Sequence, residues 1–514
     1  MIESQNVPCV DDETLAESLL SALNEAAQAQ RIALDFQGRA YSYCEIQAQA
    51  AAIQQVLVDH GITQGDRVGL YLERSPAMVS AMLACLLSGV VFVPLDPLFP
   101  AARLVAIEQE AQLATVLGDS EVPAGPKFSC SLIQVLSGLP AEGMEPQGSD
   151  RSQIPWGVDL PPRAPAYMMF TSGSTGKPKG VVISYQALQT FLRASIDRLG
   201  LDKQCYWLLI TTMAFDISML EIFAPLLVGG RMVLTSSQEH KDPHAVAEYL
   251  DRFPQINVLQ ATPSFWRMLV NCGWQGKSDL MALSGGEALD GRLAQQLFGR
   301  CNELWNCYGP TEATVWSLMS RVMACDQNGP AIHIGSSLSG YAHWVLDGNG
   351  MEVAIGEEGE LCILGAALSE GYWQRSDLTA RQFVNHPESG VRYYRTGDRV
   401  RKLGEDSFHY LGRFDDQVKL RGYRIELGEI ESQLRNIPQV GDAAVRLEGE
   451  GGVAMLVAYL EVESLPSRLQ LRKLLSNSLP AYMIPSRFNR LDCLPKTASG
   501  KVDRKRLEEA TGVT

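Results

Sequence analysis

The stretch YMMFTSGSTGKPKGVVIS, residues 167–184, sets a hydroxyl-rich, cationic run between two apolar ones. Composition by itself leaves two readings open, a linker and an anion-holding loop, because Gly/Ser/Thr-rich segments serve both. The flanks narrow the choice. AYMMF enters and GVVIS leaves, both strand-like, so the run is predicted to be a tight loop between buried strands. Such a loop can aim backbone N–H groups and hydroxyls at an anion, with Lys177 or Lys179 adding charge. Two other glycine loops fit badly. A P-loop needs glycine where Thr171 stands and Ser/Thr where Pro178 follows Lys177. A G-x-S-x-G nucleophile elbow is absent as well.

Outward from this loop, strand and helix patterns alternate. Ile46, Ala50, Ile53 and Leu57 form a helical stripe that stops at Gly61. RVGLYLE and VVFVPL read as strands; between them SPAMVSAMLACLLSG reads as a helix with Ser75 as N-cap, Pro76 at the first helical position and Gly89 at the end. Residues 121–165, rich in Pro, Gly and Ser, read as a long surface connection. YWLLITTM, NVLQATP, LMALSGGE and LWNCYGP then resume the pattern. The predicted fold class is α/β, a large N-terminal domain of mixed or parallel sheets covered by helices. After residue 412 the texture changes. QVKLRGYRIE reads as a strand, and ELGEIESQLRNIP as a helix with Ile430, Leu434 and Ile437 on one face. DAAVRLE and VAMLVAYLEVE read as strands and SRLQLRKLLSNSL as a helix, which makes a separate small α+β unit.

The totals exclude several function classes. A chain of 514 residues has room for two to four domains of ordinary size, ~100–200 residues each. Its net charge of -15 argues against nucleic acid as a partner, since phosphate contacts need a basic surface. Residues 413–514 depart from this, with 16 Lys/Arg against 14 Asp/Glu, and suit an anionic ligand or acidic partner. Eleven cysteines without a CxxC pair suit reduced thiols in a cytoplasmic protein. The N-terminus lacks the layout of a signal peptide, and no apolar run reaches 18 residues, so no membrane span is expected. His240 and His244 have i, i+4 spacing, but Pro243 lies between them and a loop is the expectation rather than a metal site.

The loop and a series of further motifs together resemble the adenylate-forming enzymes: acyl-CoA synthetases, luciferases and the adenylation domains of nonribosomal peptide synthetases. In order come YSYCEI (41–46), LLSGVVFVPLD (86–96), FDIS (215–218), NCYGPTE (306–312), GELCILGAALSEGYW (359–373), YRTGD (394–398), GRFDDQVKLRGYRIELGEIE (412–431), LPAYMIP (479–485) and SGKVDR (499–504). Each resembles a core motif of the peptide-synthetase branch. The resemblance implies ATP and Mg²⁺ as cofactors and two half-reactions, adenylation of a carboxylic acid and transfer of the acyl group to a thiol. It implies that Thr171, Ser172, Ser174, Thr175 and Lys177 wrap the phosphates, and that Tyr308 stacks on adenine. Asp398 would receive the ribose hydroxyls and Arg413 would touch the ribose or phosphate side, with Gly286, Glu287, Asn306, Gly309 and Thr311 completing the nucleotide site. Glu312 would bind Mg²⁺, and Lys501 would bridge the carboxylate and phosphate as charge moves. Ser499 stands where the family has Asn.

The same resemblance divides the chain into a large core (1–412), a hinge (413–416) containing Asp415, and a small mobile domain (417–514). That domain would swing to withdraw Lys501 and present KLRGYR to a thiol tunnel. Asp216 occupies the position that holds an acid against a substrate α-ammonium. Ile217, Leu220, Gln260, Leu283, Gly285, Cys307, Val315 and Trp316 complete a pocket that resembles the glycine-selective pattern, with bulk at Trp316, Ile217 and Leu220 filling the side-chain space. The expected function is activation of a small amino acid, glycine first, and its transfer to a phosphopantetheinylated carrier protein in trans. D- or L-alanine, a non-amino carboxylic acid, or a nucleotide-binding protein that has lost catalysis stand as rivals.

Overall fold

The structure, a computed structural model, describes residues 13–119, 126–134, 160–173, 178–323, 332–449, 454–497 and 502–507. Among these, the large unit contains a nine-stranded and a seven-stranded mixed sheet and a smaller five-stranded one. The small unit contains a two-stranded hairpin and a three-stranded sheet. Parallel pairings such as Val68 with Phe92 and Val258 with Met281 require crossover helices, which explains the alternation in the sequence.

The strands that flank the loop of the opening stretch form as expected, while residues 174–177 lie outside the described residues. Strands Pro165–Thr171 and Lys179–Ser184 pair antiparallel, register Thr171 with Lys179, and are almost wholly buried. Helix Pro76–Ser88 has Ser75 as its N-cap and Gly89 in left-handed backbone, while the stripe of helix Tyr43–Asp59 is buried at Ile46, Ala50, Ile53 and Leu57.

Two expectations need correction. The stretch 121–165 is not connection throughout, because Ser131–Gln134 adds a parallel strand to the edge of the seven-stranded sheet. QVKLRGYRIE is not one strand but a hairpin, Gln417–Leu420 with Tyr423–Glu426, turned by Arg421 (φ 52°) and Gly422 (φ 83°). Two consecutive positive-φ residues give the turn whose twist matches its flanking strands, so the Arg-Gly pair was the signal to read.

The small unit has its own core, in which Ile430 and Leu434 of helix Leu427–Arg435 pack with Ile425, Leu456 and Ala458. Ile437 lies just beyond that helix, yet joins the same core. Among the described residues the cysteines are free thiols, and no helix is long and apolar enough to cross a membrane.

Candidate active site

The site forms where strands of the nine-stranded sheet end. Strand Glu303–Tyr308 delivers Asn306, Cys307 and Tyr308 and runs into Gly309, where any Cβ would strike the Val315 carbonyl. A single helical turn, Thr311–Ala313, follows, and then left-handed backbone at Thr314 (φ 55°) and Val315 (φ 70°). Positive φ is costly for a β-branched residue, and strain of this kind persists only where surrounding contacts impose it. Here Thr314 Oγ1 donates to Ala367 O (2.7 Å) and the Tyr341 hydroxyl to Ala313 O (3.0 Å).

On one side of this turn lies a cavity of about 460 Å³ between the two units, walled by Gly286, Glu287, Asn306, Tyr308, Arg413 and Lys419 among others. The Tyr308 hydroxyl donates to Asp398 Oδ2 at 2.5 Å, and Arg413 Nη1 donates to Asp398 Oδ1 at 2.5 Å. Arg413 also holds Asp415 through Nε (2.6 Å) and Nη2 (2.7 Å). The Lys419 ammonium stands 5.1 Å from the Tyr308 ring centroid. Glu287 accepts the Ser264 hydroxyl (2.6 Å) and the Gly422 amide (2.7 Å), so it suspends the hairpin turn over the cavity. The Asn306 amide donates to His333 O at 2.9 Å. At the phosphate loop, Thr171 Oγ1 is buried with no protein partner, the condition of a hydroxyl that a phosphate oxygen would satisfy. Ser174, Thr175, Lys177 and Lys501 lie outside the described residues.

Glu312 is fully buried. Its Oε1 accepts the Tyr372 hydroxyl (2.7 Å) and its Oε2 pairs with Arg424 Nη1 (2.7 Å), while Lys179 Nζ stands 3.9 Å away. Burial pushes its pKa up, but Arg424 and Lys179 outweigh burial and hold it at about 2, so it is always a carboxylate. Among the described residues no group of three or more His, Cys, Asp or Glu is arranged to hold a metal. Mg²⁺ commonly takes one or two carboxylates plus phosphate oxygens, so a single Glu312 fits that ion once Arg424 has moved off. The loop expectation holds for His240 but not for His244, which is the second residue of helix Pro243–Arg252, capped by Asp242.

The residues predicted to form the amino-acid pocket are close-packed rather than lining the cavity, except Cys307. Asp216 is 5% exposed. Burial pushes its pKa up to about 6, the Thr311 side chain opposes that by hydrogen bonding, and the Glu312 charge adds to it. Asp216 is therefore a buried acid just ahead of helix Ser218–Val228, which feels the Arg424 charge but forms no salt bridge among the described residues, unlike Glu312. It does not line the 460 Å³ cavity, whose wall on this side is Cys307 and Gly286. Ile217, Leu220, Leu283, Val315 and Trp316 are all buried. Trp316 Nε1 donates to Gln260 Oε1 (2.9 Å), and Gln260 Nε2 donates to Ile217 O (3.1 Å) and Glu221 Oε1 (3.2 Å). A Cβ on Gly285 would lie 2.5 Å from the indole, so the position of Trp316 depends on that glycine.

Sequence reasoning missed Glu221, Tyr372 and Arg424. Glu221 was legible as a lone acid in the apolar run SMLEIFAPLLV. Arg424 lay within a quoted motif, but its partner is 112 residues away and no local pattern names it.

Fold and site together define an AMP-forming ligase of a large and a small unit. The chain belongs to the AMP-binding enzyme family, whose model matches residues 23–373, and the AMP-binding enzyme C-terminal domain matches residues 429–501. It is 36% identical over 516 residues to a dimodular nonribosomal peptide synthase of Bacillus subtilis (strain 168), covering 98% of this chain and 21% of that protein. It thus spans about a fifth of that relative's length. Among solved structures it is similar to a four-domain nonribosomal peptide synthetase bound to AMP and glycine (39% identity, TM-score 0.72, 96% of this chain and 36% of that one). It is also similar to an artificially fused adenylation-PCP di-domain from Klebsiella oxytoca (26% identity, TM-score 0.82, 92% and 94% covered).

Proposed function

We propose that the chain activates a small amino acid, glycine, as aminoacyl-AMP and passes it to the phosphopantetheine thiol of a carrier protein. One substrate carboxylate oxygen attacks the α-phosphorus of ATP and pyrophosphate leaves; a thiolate then attacks the acyl carbon and AMP leaves. Asp216 receives the substrate ammonium. Trp316, held by Gln260, fills the space a larger side chain needs. Tyr308, Asp398 and Arg413 hold the nucleoside, and Lys501 stabilises charge during adenylation. Mg²⁺, held by Glu312, would neutralise phosphate charge. Residues 413–416 act as a hinge between a core of 1–412 and a small domain of 417–514.

The observation that carries this reading is Asp216, a buried acid pushed up to about 6 and next in the chain to Ile217, whose carbonyl accepts from the Gln260 amide that also holds the Trp316 indole. An amino-acid cation removes the cost of that charge, and a plain carboxylic acid does not. The AMP and glycine bound to one structural relative, and the PCP fused to another, support the same choice of substrate and acceptor. Pyrophosphate exchange across the amino acids and several plain carboxylic acids tests it. Glycine is expected to give the highest signal; exchange driven only by acids without an α-amino group overturns it in favour of an acyl-CoA ligase.

A further inference from the structure

Ser172 and Gly173 of the phosphate loop, unlike the Thr171 hydroxyl, are held by the small unit. Ser172 Oγ donates to Arg424 O (3.0 Å) and accepts the Glu426 amide (3.1 Å). The Lys179 ammonium lies 3.5 Å from Glu426 Oε1. The Gly173 amide donates to Glu429 Oε2 (3.2 Å), and Glu429 Oε1 pairs with Arg103 Nη1 (2.7 Å). The last pair joins the two units and both its side chains are 3% exposed. Arg103 comes from helix Ala101–Ala111 and Glu429 from the first turn of helix Leu427–Arg435, so neither belongs to the nucleotide or amino-acid site described above. A carboxylate held by a phosphate-loop amide and a guanidinium uses the same donors that hold a phosphate oxygen.

We propose that Arg103 and Glu429 are positioning residues for thiol transfer, and that Glu429 and pyrophosphate compete for the Gly173 amide. The inference rests on the two half-reactions proposed above. While pyrophosphate holds the loop, the small unit cannot seat. Once it leaves, Glu429 takes the vacated donor, Arg103 neutralises the buried charge, and the hairpin Gln417–Glu426 is fixed over the cavity. A buried pair that loses one partner leaves an uncompensated charge, so single substitutions act strongly on the seated arrangement.

The test uses the full chain with inorganic pyrophosphate as the only probe, reading hydrogen exchange of the amides of 417–426. Pyrophosphate is expected to lower their protection saturably in the wild type. Glu429→Gln and Arg103→Gln are expected to show low protection without it and little response to it. In rapid-quench assays with preformed glycyl-adenylate, both variants lose about 100-fold in thiol transfer, while amino-acid-dependent pyrophosphate exchange changes less than about threefold. The double variant Arg103→Glu/Glu429→Arg recovers at least about tenfold of the transfer rate lost by either single change. Wild-type protection that ignores pyrophosphate, or equal loss of both half-reactions in variants that melt like the wild type, overturns the proposal. Because the exchange experiment contains no acid substrate, an error in the choice of glycine leaves its outcome intact.

Discussion

Two regions meet at the turn Thr311–Ala313, and they are built differently. The region proposed to take the amino acid lies inside the large unit and is apolar packing locked by the chain Glu221–Gln260–Trp316. The phosphate-side interface joins two units and, beside a Phe215–Tyr423 ring stack, is rich in polar contacts: Glu312 with Arg424, Ser172 with the hairpin backbone, Glu429 with Arg103. Separating apolar surfaces costs about 25 cal/mol per Å², whereas polar groups released from one another regain water or a new ligand. Selectivity against one methyl group needs walls that do not yield. Alternation between ATP and thiol, on the function proposed above, needs contacts that can be exchanged, and the polar interface suits that requirement as the apolar packing suits the first.

The sharpest way to break this contrast is Asp216→Asn. The change is expected to lower glycine-dependent pyrophosphate exchange by at least about 100-fold, because the substrate ammonium loses its charged partner. The free protein is expected to gain stability at pH 7.5, by roughly 3 kcal/mol, since the wild-type acid is pushed up to about 6 from 3.8 by burial. Melting temperature without amino acid reads that gain; an unchanged melting point would mean that Asp216 already has a cationic partner.

Gly285→Ala tests the rigidity of the wall. Its Cβ would lie 2.5 Å from the Trp316 ring, so either the indole moves or the strand does, at about 1–3 kcal/mol. Chemical denaturation measures the loss, and the KM for glycine is expected to rise with it. Trp316→Ala removes the wall instead. The alanine-to-glycine ratio of kcat/KM is expected to rise about tenfold or more, as a methyl in a tight pocket is worth ~1–3 kcal/mol. Unchanged selectivity would place the discrimination elsewhere.

The pH dependence separates binding from folding. Burial raises Asp216 to about 6, so the carboxylate that receives an ammonium prevails above that pH. Amino-acid kcat/KM is expected to fall about tenfold per unit below pH 6. The stability contribution has the opposite sign: the folded form holds the proton more tightly, so stability is lost as pH rises from about 3.8 to 6. Glu312, held at about 2, stays ionised in the folded chain and adds nothing to the kcat/KM profile in that range, while its own stability contribution is lost as pH falls from about 4.5 towards 2. The smallest effect is expected from Tyr372→Phe, which removes one hydrogen bond to Glu312 and costs about 1 kcal/mol in the seated arrangement, read by protection of the hairpin amides.

Much of the fold was legible because its signals are local. The strand–loop–strand at 167–184, the Ser75 cap and the Gly89 stop each follow from residues a few positions apart. The hairpin at Arg421–Gly422 was written as plainly, in a two-residue turn, and was misread because alternation continues across it. The motif series named Asp216, Tyr308, Glu312 and Trp316: Glu312 lies in the turn Thr311–Ala313, Tyr308 and Trp316 flank it in the chain, and Asp216 is hydrogen-bonded by Thr311. What the chain order alone determined, then, was the α/β pattern and the kinds of residue that face a nucleotide.

Only the tertiary structure decided which of those residues are engaged. Arg424 reaches Glu312 across 112 positions and Glu429 reaches Arg103 across 326. Gly285 depends on an indole 31 positions later in the chain, and Trp316 on an amide 56 positions earlier. Burial and pairing are set by what the folded chain places around a side chain, and no neighbourhood in sequence carries that information. Glu312 is half of an ion pair because a distant hairpin comes to rest against it.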